Sequence, residues 1–313
     1  MKTLSIIIPC YNEETVIQIT YERVKSVLNQ LTGIKSYITF INDGSTDRTL
    51  EIMTEIASVD TDVFILNFSR NFGHQAAVTA GINYCKTDLA VIIDADLQDP
   101  PEIIPDLLQT MEKEQANVVY CVRKSREGES RFKLWSSKLF YRFLNSLSEV
   151  KFPLDTGDFR LIDSTIIKEF NRLRERGKYI RGLISWVGFK QVPYYYERNA
   201  RHSGKTKYPF RKMISFASTA LSYFSKKPLL LSVSLGFIAV IGGIILAIWY
   251  ALGKIFGYTN AESGFTSIMI IVIFFGGVQL LTIGVLGQYI GILFDEVKNR
   301  PEYIIENTIN IEQ

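Results

Sequence analysis

The chain has 313 residues, with 35 Lys and Arg against 32 Asp and Glu, so its formal net charge is only +3. This length fits one large domain or two smaller ones, and the near balance of charge gives no indication of a nucleic-acid-binding protein. The cysteines lie in or beside apolar segments without metal-ligand spacing, which favours reduced packing residues over metal ligands: Cys10, Cys85 and Cys121.

The first part of the chain alternates apolar runs of strand length with amphipathic segments. This alternation predicts an α/β fold whose mostly parallel sheet is covered by helices on both faces. The predicted strands are 3–9, 37–43, 62–68, 89–94 and 117–122. The predicted helices between them are 14–31, 47–56, 74–84 and 102–113.

A polar segment follows each of the first four predicted strands: PCYNEE, NDGSTD, SRNFGHQ and DADLQD. Ligands of open α/β sheets bind beyond the carboxyl ends of the strands, so these segments are predicted to line one site. The first, second and fourth carry acids, whereas the third carries Arg70 and His74.

The fourth segment places carboxylates at the end of a strand that reads as buried. An unpaired buried carboxylate costs several kcal/mol, so these groups need water, a cation or a basic partner. Oxygen ligands at this spacing suit Mg²⁺ or Mn²⁺ on a diphosphate, and we assign them to Asp94, Asp96 and Gln98. Asp99, which precedes PPE, is instead predicted to cap the next helix.

From residue 130 the pattern loosens. Residues 131–147 predict an amphipathic helix, and DTGDFRLID and FKQVPYYYER predict two further strands. Residues 198–212 carry basic but no acidic side chains, and their place just before an apolar stretch favours phosphate or anionic lipid over nucleic acid. For residues 209–227, a helix in the membrane interface and a helix packed on the domain are equally supported.

Two stretches, 229–252 and 265–294, contain no charged side chain and exceed the roughly 20 apolar residues that cross a bilayer. They predict two transmembrane helices, whose glycines would allow close helix association and a homo-oligomer. The alternative, buried helices of a soluble domain, needs more chain to cover them than remains. Basic residues flank both stretches and no signal peptide is predicted at the start, so we expect the soluble part and both termini in the cytoplasm.

Six motifs, SIIIPCYNEE, INDGSTDRT, SRNFGHQAAVTAG, IIDADLQDPPE, DTGDFRL and RHSGKTKY, occur in this order. Together they resemble family 2 glycosyltransferases of the polyprenyl-phosphate type, such as dolichol-phosphate mannose synthases, and most of all the bactoprenol glucosyltransferases. The resemblance covers nearly the whole chain. It implies a GT-A catalytic domain over 1–208, an interfacial helix over 209–227, a two-helix hairpin over 228–294 and a cytoplasmic tail over 295–313.

Carried over motif by motif, the resemblance implies a nucleotide-sugar pocket formed by Pro9, Tyr11, Glu13, Asp43, Asp94, Ala95 and Asp96. The family often has a second acid where this chain has Asn42. Phosphate-binding roles are implied for Arg201 and Lys207 on the donor, and for Arg123 and Arg131 on the acceptor. Asp158 aligns with the candidate catalytic acid, so the implied catalytic set is Asp158, Asp96, Arg201 and Lys207. For His74 and His202 a hydrogen bond is at least as well supported as a catalytic role.

The implied reaction transfers a sugar, with inversion, from a nucleotide diphosphate to polyprenyl phosphate, such as undecaprenyl phosphate. UDP-glucose is the preferred donor, and GDP-mannose, UDP-galactose, UDP-N-acetylglucosamine and an aminoarabinose donor stay open. A phosphate acceptor with a second pKa near ~6 is already largely ionised, so Asp158 need not act as a base.

Two other functions fit parts of the sequence. A processive polysaccharide synthase usually has a QxxRW motif and more spans, whereas this chain offers only RGLISW at 181–186. A non-catalytic membrane scaffold conflicts with the intact metal and phosphate motifs.

Overall fold

The computed structural model describes residues 1–123, 156–175, 179–197, 227–256 and 264–311. These residues belong to two compact units. The first holds 1–123, 156–175, 179–197 and 300–311, and the second holds 227–256 and 264–299.

One sheet organises the first unit. Its strands are β1 (Lys2–Cys10), β2 (Ile34–Asn42), β3 (Val63–Phe68), β4 (Leu89–Ile92), β5 (Val118–Arg123), β6 (Thr156–Asp163), β7 (Gln191–Tyr196) and β8 (Ile305–Ile309). Their order is β7-β5-β6-β4-β1-β2-β3-β8. The β1–β2, β1–β4, β2–β3 and β5–β7 pairs are parallel, whereas β6 and β8 pair antiparallel to their neighbours. The predicted α/β class with a mostly parallel sheet is confirmed.

Helices cover both faces of this sheet. They are α1 (Ile17–Leu28), α2 (Thr49–Val59), α3 (His74–Tyr84), α4 (Ile104–Glu114), α5 (Ser164–Arg172) and α6 (Ile180–Val187). Leu4, Ile6 and Ile8 alternate along β1 and join one hydrophobic core. On the opposite face, α3 lies close to β1 because Gly81 has no side chain. A Cβ there would lie 2.3 Å from Cγ2 of Ile7.

The carboxyl ends of β1, β2 and β3 are level with one another. The ladders pair Cys10 with Asn42 and Asn42 with Asn67, so the segments that follow these strands start at the same edge. There the hydroxyl of Thr49 accepts a hydrogen bond from the Glu13 amide at 2.8 Å. The sequence prediction that the polar segments meet at one edge is confirmed.

Residues 305–309 had been assigned only to a C-terminal tail. They form β8, which lies antiparallel to β3 with Ile309 opposite Ile65. This short strand therefore extends the edge of the catalytic sheet.

The second unit contains two long helices, α7 (Lys227–Ile255) and α8 (Gly264–Val297). Many of their large apolar side chains are exposed, among them Leu230, Phe237, Trp249 and Leu280. Among the described residues, Phe274–Val297 is long and apolar enough to cross a membrane, whereas the apolar part of α7, Leu229–Ile245, is shorter. Two membrane crossings therefore stay a prediction, for which the structure supplies one candidate.

Some predictions fall outside the described residues. These are the helix over 131–147, nearly all of the interfacial helix over 209–227, and the basic run over 198–212. The site residues among them are Arg131, Arg201, His202 and Lys207.

Candidate functional site at the carboxyl edge of the sheet

The DADLQ segment continues from β4 alongside β1. The Ile93 amide donates to the carbonyl of Ile7 at 3.1 Å, and the buried Ala95 accepts a bond from the Thr20 hydroxyl at 2.9 Å. Leu97 adopts a left-handed backbone conformation with φ of 58°, which turns the chain sharply. The amide of the buried Gln98 donates to Oδ1 of Asp96 at 3.1 Å. These bonds fix the backbone between the two aspartates of the DAD motif.

Asp94 has the most exceptional environment of the acids here. Its side chain is 28% exposed, yet Oδ1 is buried and has no hydrogen-bond partner among the described residues. Burial first, and then the charges of Asp158, Asp99 and Asp96, raise the pKa of Asp94 to about 6 against the opposing effect of His74. A buried acceptor beside other carboxylates is a place where a cation would be stabilised.

The acids at this edge offer few donor atoms for a metal ion. In the described ranges, no group of three or more His, Cys, Asp or Glu side chains could hold an ion. Mg²⁺ and Mn²⁺ often take only one or two carboxylates, completing their shell with water and substrate phosphate. Asp94, whose Oδ1 accepts no hydrogen bond among the described residues and lies 3.7 Å from Nε2 of His74, and Asp96 two residues later therefore fit such an ion.

Asp158 lies buried at the start of β6 and is held by two basic side chains. Nε and Nη2 of Arg181, on α6, donate to its two oxygens at 2.8 and 3.3 Å. Nε2 of His74, at the start of α3, lies 3.0 Å from Oδ2 of Asp158 and 3.7 Å from Asp94. Burial alone would raise the pKa of Asp158, but these partners hold it well below its usual value.

His74 links the two acids. Burial would lower the pKa of its imidazole, but the hydrogen bond to Asp158 and the charges of Asp94 and Asp158 raise it to about 9. At neutral pH this histidine is therefore positively charged. The sequence left its role open between a hydrogen bond and catalysis, and the structure places it between Asp94 and Asp158.

A second arginine, Arg160, stabilises the backbone at the same end of β6. The buried guanidinium of Arg160 donates to the carbonyls of Asp158 and Gly157 at 3.2 and 3.1 Å. Burial lowers the pKa of Arg160 below its usual value. Its bonds fix the backbone from which Asp158 projects.

Asp43 follows β2 and is also buried, but its partners are neutral. Its oxygens accept bonds from the amides of Phe72 and Gly73 at 2.7 to 3.2 Å, and from Nδ2 of Asn71 at 3.0 Å. Burial raises its pKa above the usual value, and the two amides together with the charges of His74 and Arg70 only partly offset this. Asp43 therefore anchors the segment that precedes α3.

The first polar segment supplies the other predicted pocket residues. Pro9 is buried in β1 opposite Ile41, whereas Tyr11 is 40% exposed beyond the strand. The carbonyl of Glu13 accepts bonds from the amides of Val16 and Ile17 at 3.0 Å, where α1 begins. The structure thus brings Tyr11 and Glu13 to the edge occupied by Asp43 and Asp94.

Asp99 is not a helix cap, which corrects the sequence prediction. Neither the 3₁₀ turn Pro101–Ile103 nor α4 has a side-chain cap. Asp99 instead accepts a hydrogen bond from the hydroxyl of Tyr196 and lies 4.0 Å from Nη2 of Arg123. Arg123, predicted to bind acceptor phosphate, therefore stands beside a buried acid that compensates part of its charge.

Two functional contacts were missed by sequence reasoning. In the sequence pattern, Arg181 stands out only as part of RGLISW, in the comparison with the QxxRW motif, and Tyr196 only as part of a predicted strand. The useful signal was the arginine at the start of an amphipathic segment soon after DTGDF, because a buried acid in that motif needs a basic partner.

The chain belongs to glycosyl transferase family 2, whose family model matches residues 5–170, more than half of the chain. It is 44% identical to the uncharacterized glycosyltransferase YkcC of Bacillus subtilis, with 98% of this chain and 94% of that protein aligned. It is 36% identical to the prophage bactoprenol glucosyl transferase homolog of Escherichia coli, covering 97% of this chain and 98% of the relative. The protein is therefore a glycosyltransferase.

Among solved structures, it is similar to glucosyl-3-phosphoglycerate synthase from Mycobacterium tuberculosis in complex with Mn²⁺, UDP and phosphoglyceric acid. The identity is 19%, the TM-score is 0.45, and 71% of this chain and 76% of that chain are covered. At that TM-score the likeness carries no inference about ligands. Membership of family 2 agrees with the expected GT-A fold. Within the described residues, the structure shows the mostly parallel mixed sheet of that fold.

Proposed function

We propose that the protein transfers a sugar, with inversion, from a nucleotide diphosphate to polyprenyl phosphate, forming a polyprenyl-monophosphate sugar. Undecaprenyl phosphate is the proposed acceptor and UDP-glucose the preferred donor. The main support for this proposal is the buried Asp158, which is paired with Arg181 and His74. It lies near Asp94, whose Oδ1 accepts no hydrogen bond among the described residues. The curated relatives named bactoprenol glucosyl transferase support the choice of acceptor and sugar.

On the donor side, Pro9, Tyr11, Glu13 and Asp43 would line the nucleotide pocket. Tyr11 offers an exposed ring beside Glu13, whereas Asp43 is too buried to offer much surface and instead fixes the wall of the pocket. Ala95 would contribute through its backbone, since its side chain is buried. Arg201 and Lys207 would close over the donor phosphates.

Asp94 and Asp96, with the predicted help of Gln98, would hold Mg²⁺ or Mn²⁺ on the diphosphate. Oδ1 of Asp94 supports this proposal, because it accepts no hydrogen bond among the described residues and a metal ion would add to the compensation that His74 gives from 3.7 Å. When bound, the ion would stabilise negative charge on the departing nucleotide diphosphate.

Asp158 would position the acceptor and not deprotonate it. A carboxylate whose pKa lies well below its usual value is a weak base, and a phosphate monoester is already ionised near neutral pH. Arg181 and His74 would keep this carboxylate fixed while Arg123 and Arg131 attract the acceptor phosphate. The oxygen of the phosphate would then attack the anomeric carbon from the face opposite the leaving diphosphate.

The lipid acceptor requires access to a bilayer. We propose that α7 and α8 both span the cytoplasmic membrane, with the catalytic unit and both termini on the cytoplasmic side. The exposed apolar surface of both helices and the candidate span Phe274–Val297 support this arrangement. The glycines of α8 would permit association with a second copy.

The decisive experiment incubates membranes containing the full chain with undecaprenyl phosphate and a panel of labelled sugar nucleotides. We expect a lipid-linked monophosphate sugar from UDP-glucose, identified by mass spectrometry. Product from another donor would change the proposed sugar but leave the proposed type of reaction unchanged. An absence of lipid-linked product from every donor would overturn the proposed function.

A metal-site variant sharpens this test. We expect Asp96→Asn to lower turnover by more than about 10³-fold while the protein stays folded and in the membrane, because one carboxylate of the clamp is lost. Asp62→Asn, an acid that precedes β3 at the opposite edge, is the matched control and should keep normal turnover. Near-normal turnover of Asp96→Asn with Mg²⁺ or Mn²⁺ would refute the metal assignment.

A further inference from the structure

The segment that contains β8 contacts the same region of the sheet as the candidate donor pocket. Nδ2 of Asn67, near the carboxyl end of β3, donates to Oδ1 of Asn307 at 2.6 Å and to Oε2 of Glu306 at 3.2 Å. Oδ1 of Asn67 accepts a bond from Nδ2 of Asn42 at 2.7 Å. Asn42 directly precedes Asp43, so the tail is linked through Asn67 to the end of β2.

A second set of contacts reaches the loop at 69–73, which we call the donor-side loop. The carbonyl of Ile304 accepts a bond from the Ser69 amide at 3.1 Å. The ring of Tyr303 stacks on Phe68 with centroids 5.2 Å apart, and Phe68 packs edge to face against Phe72 at 5.8 Å. Aromatic contacts at these distances contribute about 0.5–1.5 kcal/mol each beyond their buried area.

The donor-side loop in turn holds Asp43 through the amides of Phe72 and Gly73. It also passes close to the glycine after Asp43. A Cβ on Gly44 would lie 2.3 Å from the carbonyl carbon of Arg70, and its φ of 62° is left-handed. The loop is therefore packed closely against the backbone that directly follows Asp43.

We infer that the C-terminal segment is a working part of the donor side, in which Tyr303, through Phe68, and Asn307, through Asn67 and Asn42, are positioning residues for the contact between the donor-side loop and Asp43. This inference rests on the proposed function, because it takes Asp43 as a wall of the nucleotide pocket. It assigns to the last strand a role in donor binding that an ordinary edge strand would not have.

The chain supplies a matched control on the same segment. Nδ2 of Asn310 donates to the carbonyls of Ala57 and Val63 at 2.8 and 2.9 Å, at the amino end of β3. Asn310 therefore ties the tail to the sheet at the end of β3 opposite to Asn67, the residue through which Asn307 is linked to Asn42 and Asp43. A purely structural tail would respond alike to loss of Asn310 and of Asn307, whereas a positioning role separates them.

The kinetic test uses the full chain in membranes and compares Asn307→Ala, Tyr303→Ala and Asn310→Ala. We expect the first two to raise the KM for the sugar nucleotide about fivefold to tenfold while the KM for polyprenyl phosphate stays constant. Tyr303→Phe keeps the stacked ring and loses only the bond from Asn83, so it should restore the wild-type KM. An unchanged donor KM in both alanine variants, or an equal rise in Asn310→Ala, would overturn the inference.

Hydrogen exchange of the purified full chain gives a measurement that needs no turnover. We expect peptides covering the donor-side loop to exchange at least about tenfold faster in Asn307→Ala and Tyr303→Ala, and unchanged in Asn310→Ala. If the wild-type protein transferred no sugar, the proposed function would fail, yet this comparison would still decide whether the tail holds the loop. Equal loop protection in all variants would refute that role, and Asn307→Ala decides alone if Tyr303→Ala does not fold.

Discussion

Asp43 and Asp158 are buried to the same extent, with 3% and 4% of their surface exposed, but the protein treats their charges in opposite ways. Asp43 accepts bonds from neutral N–H groups of the donor-side loop, and its pKa is raised because burial outweighs them. Asp158 faces Arg181 and His74, which hold its pKa well below the usual value despite burial. At equal burial, the charge of the hydrogen-bonding side chains therefore decides whether the pKa of each acid rises or falls.

The contrast separates two roles at one edge of the sheet. Asp43 holds backbone amides, so its proposed role is to set the shape of the donor pocket. Asp158 is a fixed negative charge locked between two cations, which suits positioning a phosphate acceptor among basic side chains more than taking a proton. Substitutions at and around Asp158 and Asp43 test these two roles, and they are given from the largest expected effect to the smallest.

Removing the strong partner of Asp158 should have the largest effect. We expect Arg181→Ala to lower the transfer rate by at least about 100-fold, because a misplaced catalytic group commonly costs that much. The loss also removes one charged partner of a buried carboxylate, which typically costs about 3–5 kcal/mol of stability. Initial rates and the thermal unfolding midpoint in detergent would measure the two effects.

An arginine in an exposed ion pair is the matched control. Nη1 of Arg172 lies 3.0 Å from Glu169, and its side chain is 76% exposed. Arg172→Ala should therefore change stability by no more than about 1 kcal/mol and leave transfer unchanged. If Arg181→Ala behaved like Arg172→Ala, the electrostatic contrast between Asp158 and Asp43 would be wrong.

The second prediction concerns the chemistry of Asp158. We expect Asp158→Asn to lose much of its rate but to keep measurable transfer, because the acceptor phosphate is its own nucleophile. Its single-turnover rate should follow acceptor ionisation near pH ~6. Complete inactivity across the pH range, with donor and acceptor still bound, would identify Asp158 as an obligatory base.

The sequence predicted the sheet and the edge of the site because both depend on local patterns. Apolar runs of strand length and polar segments after them located β1 to β4 and the acids Asp43, Asp94 and Asp96. The prediction failed where a distant side chain determines the outcome. Asp99 looked like a cap beside PPE, but the hydroxyl of Tyr196, 97 residues later, binds it instead.

Strand β8, in the C-terminal tail, is a part of the fold that the sequence pattern did not predict. Residues 305–309, IENTI, are short and half polar, so no periodic pattern distinguishes them from an irregular tail. Their strand exists because β3 offers an unpaired edge and Asn67 offers a side-chain partner for Asn307. Both causes lie more than 200 residues away in the chain, where no window of sequence can register them.

The smallest effect, and the most direct test of the contrast, is the pH dependence of stability in Asp43→Asn and Asp158→Asn. The folded pKa of Asp43 is raised, so the folded state binds its proton more tightly and stability falls as pH rises from the unfolded pKa through the folded one. The folded pKa of Asp158 is lowered, so its contribution is present above the unfolded pKa near ~3.9 and is lost as pH falls towards the folded value.

Asparagine does not titrate, so each variant lacks the pH dependence of stability that the replaced aspartate contributes. The stability advantage of the wild type over Asp43→Asn should be largest in acid and shrink towards neutral pH, leaving about 1–3 kcal/mol from the amides that lose an acceptor. The advantage over Asp158→Asn should instead grow from acid to neutral pH. Thermal midpoints of the three proteins between about pH 2 and pH 7 measure both trends, because the Asp158 trend lies below the unfolded pKa of aspartate near ~3.9. Two curves that changed in the same direction would mean that burial, and not the charge of the partner, governs both acids.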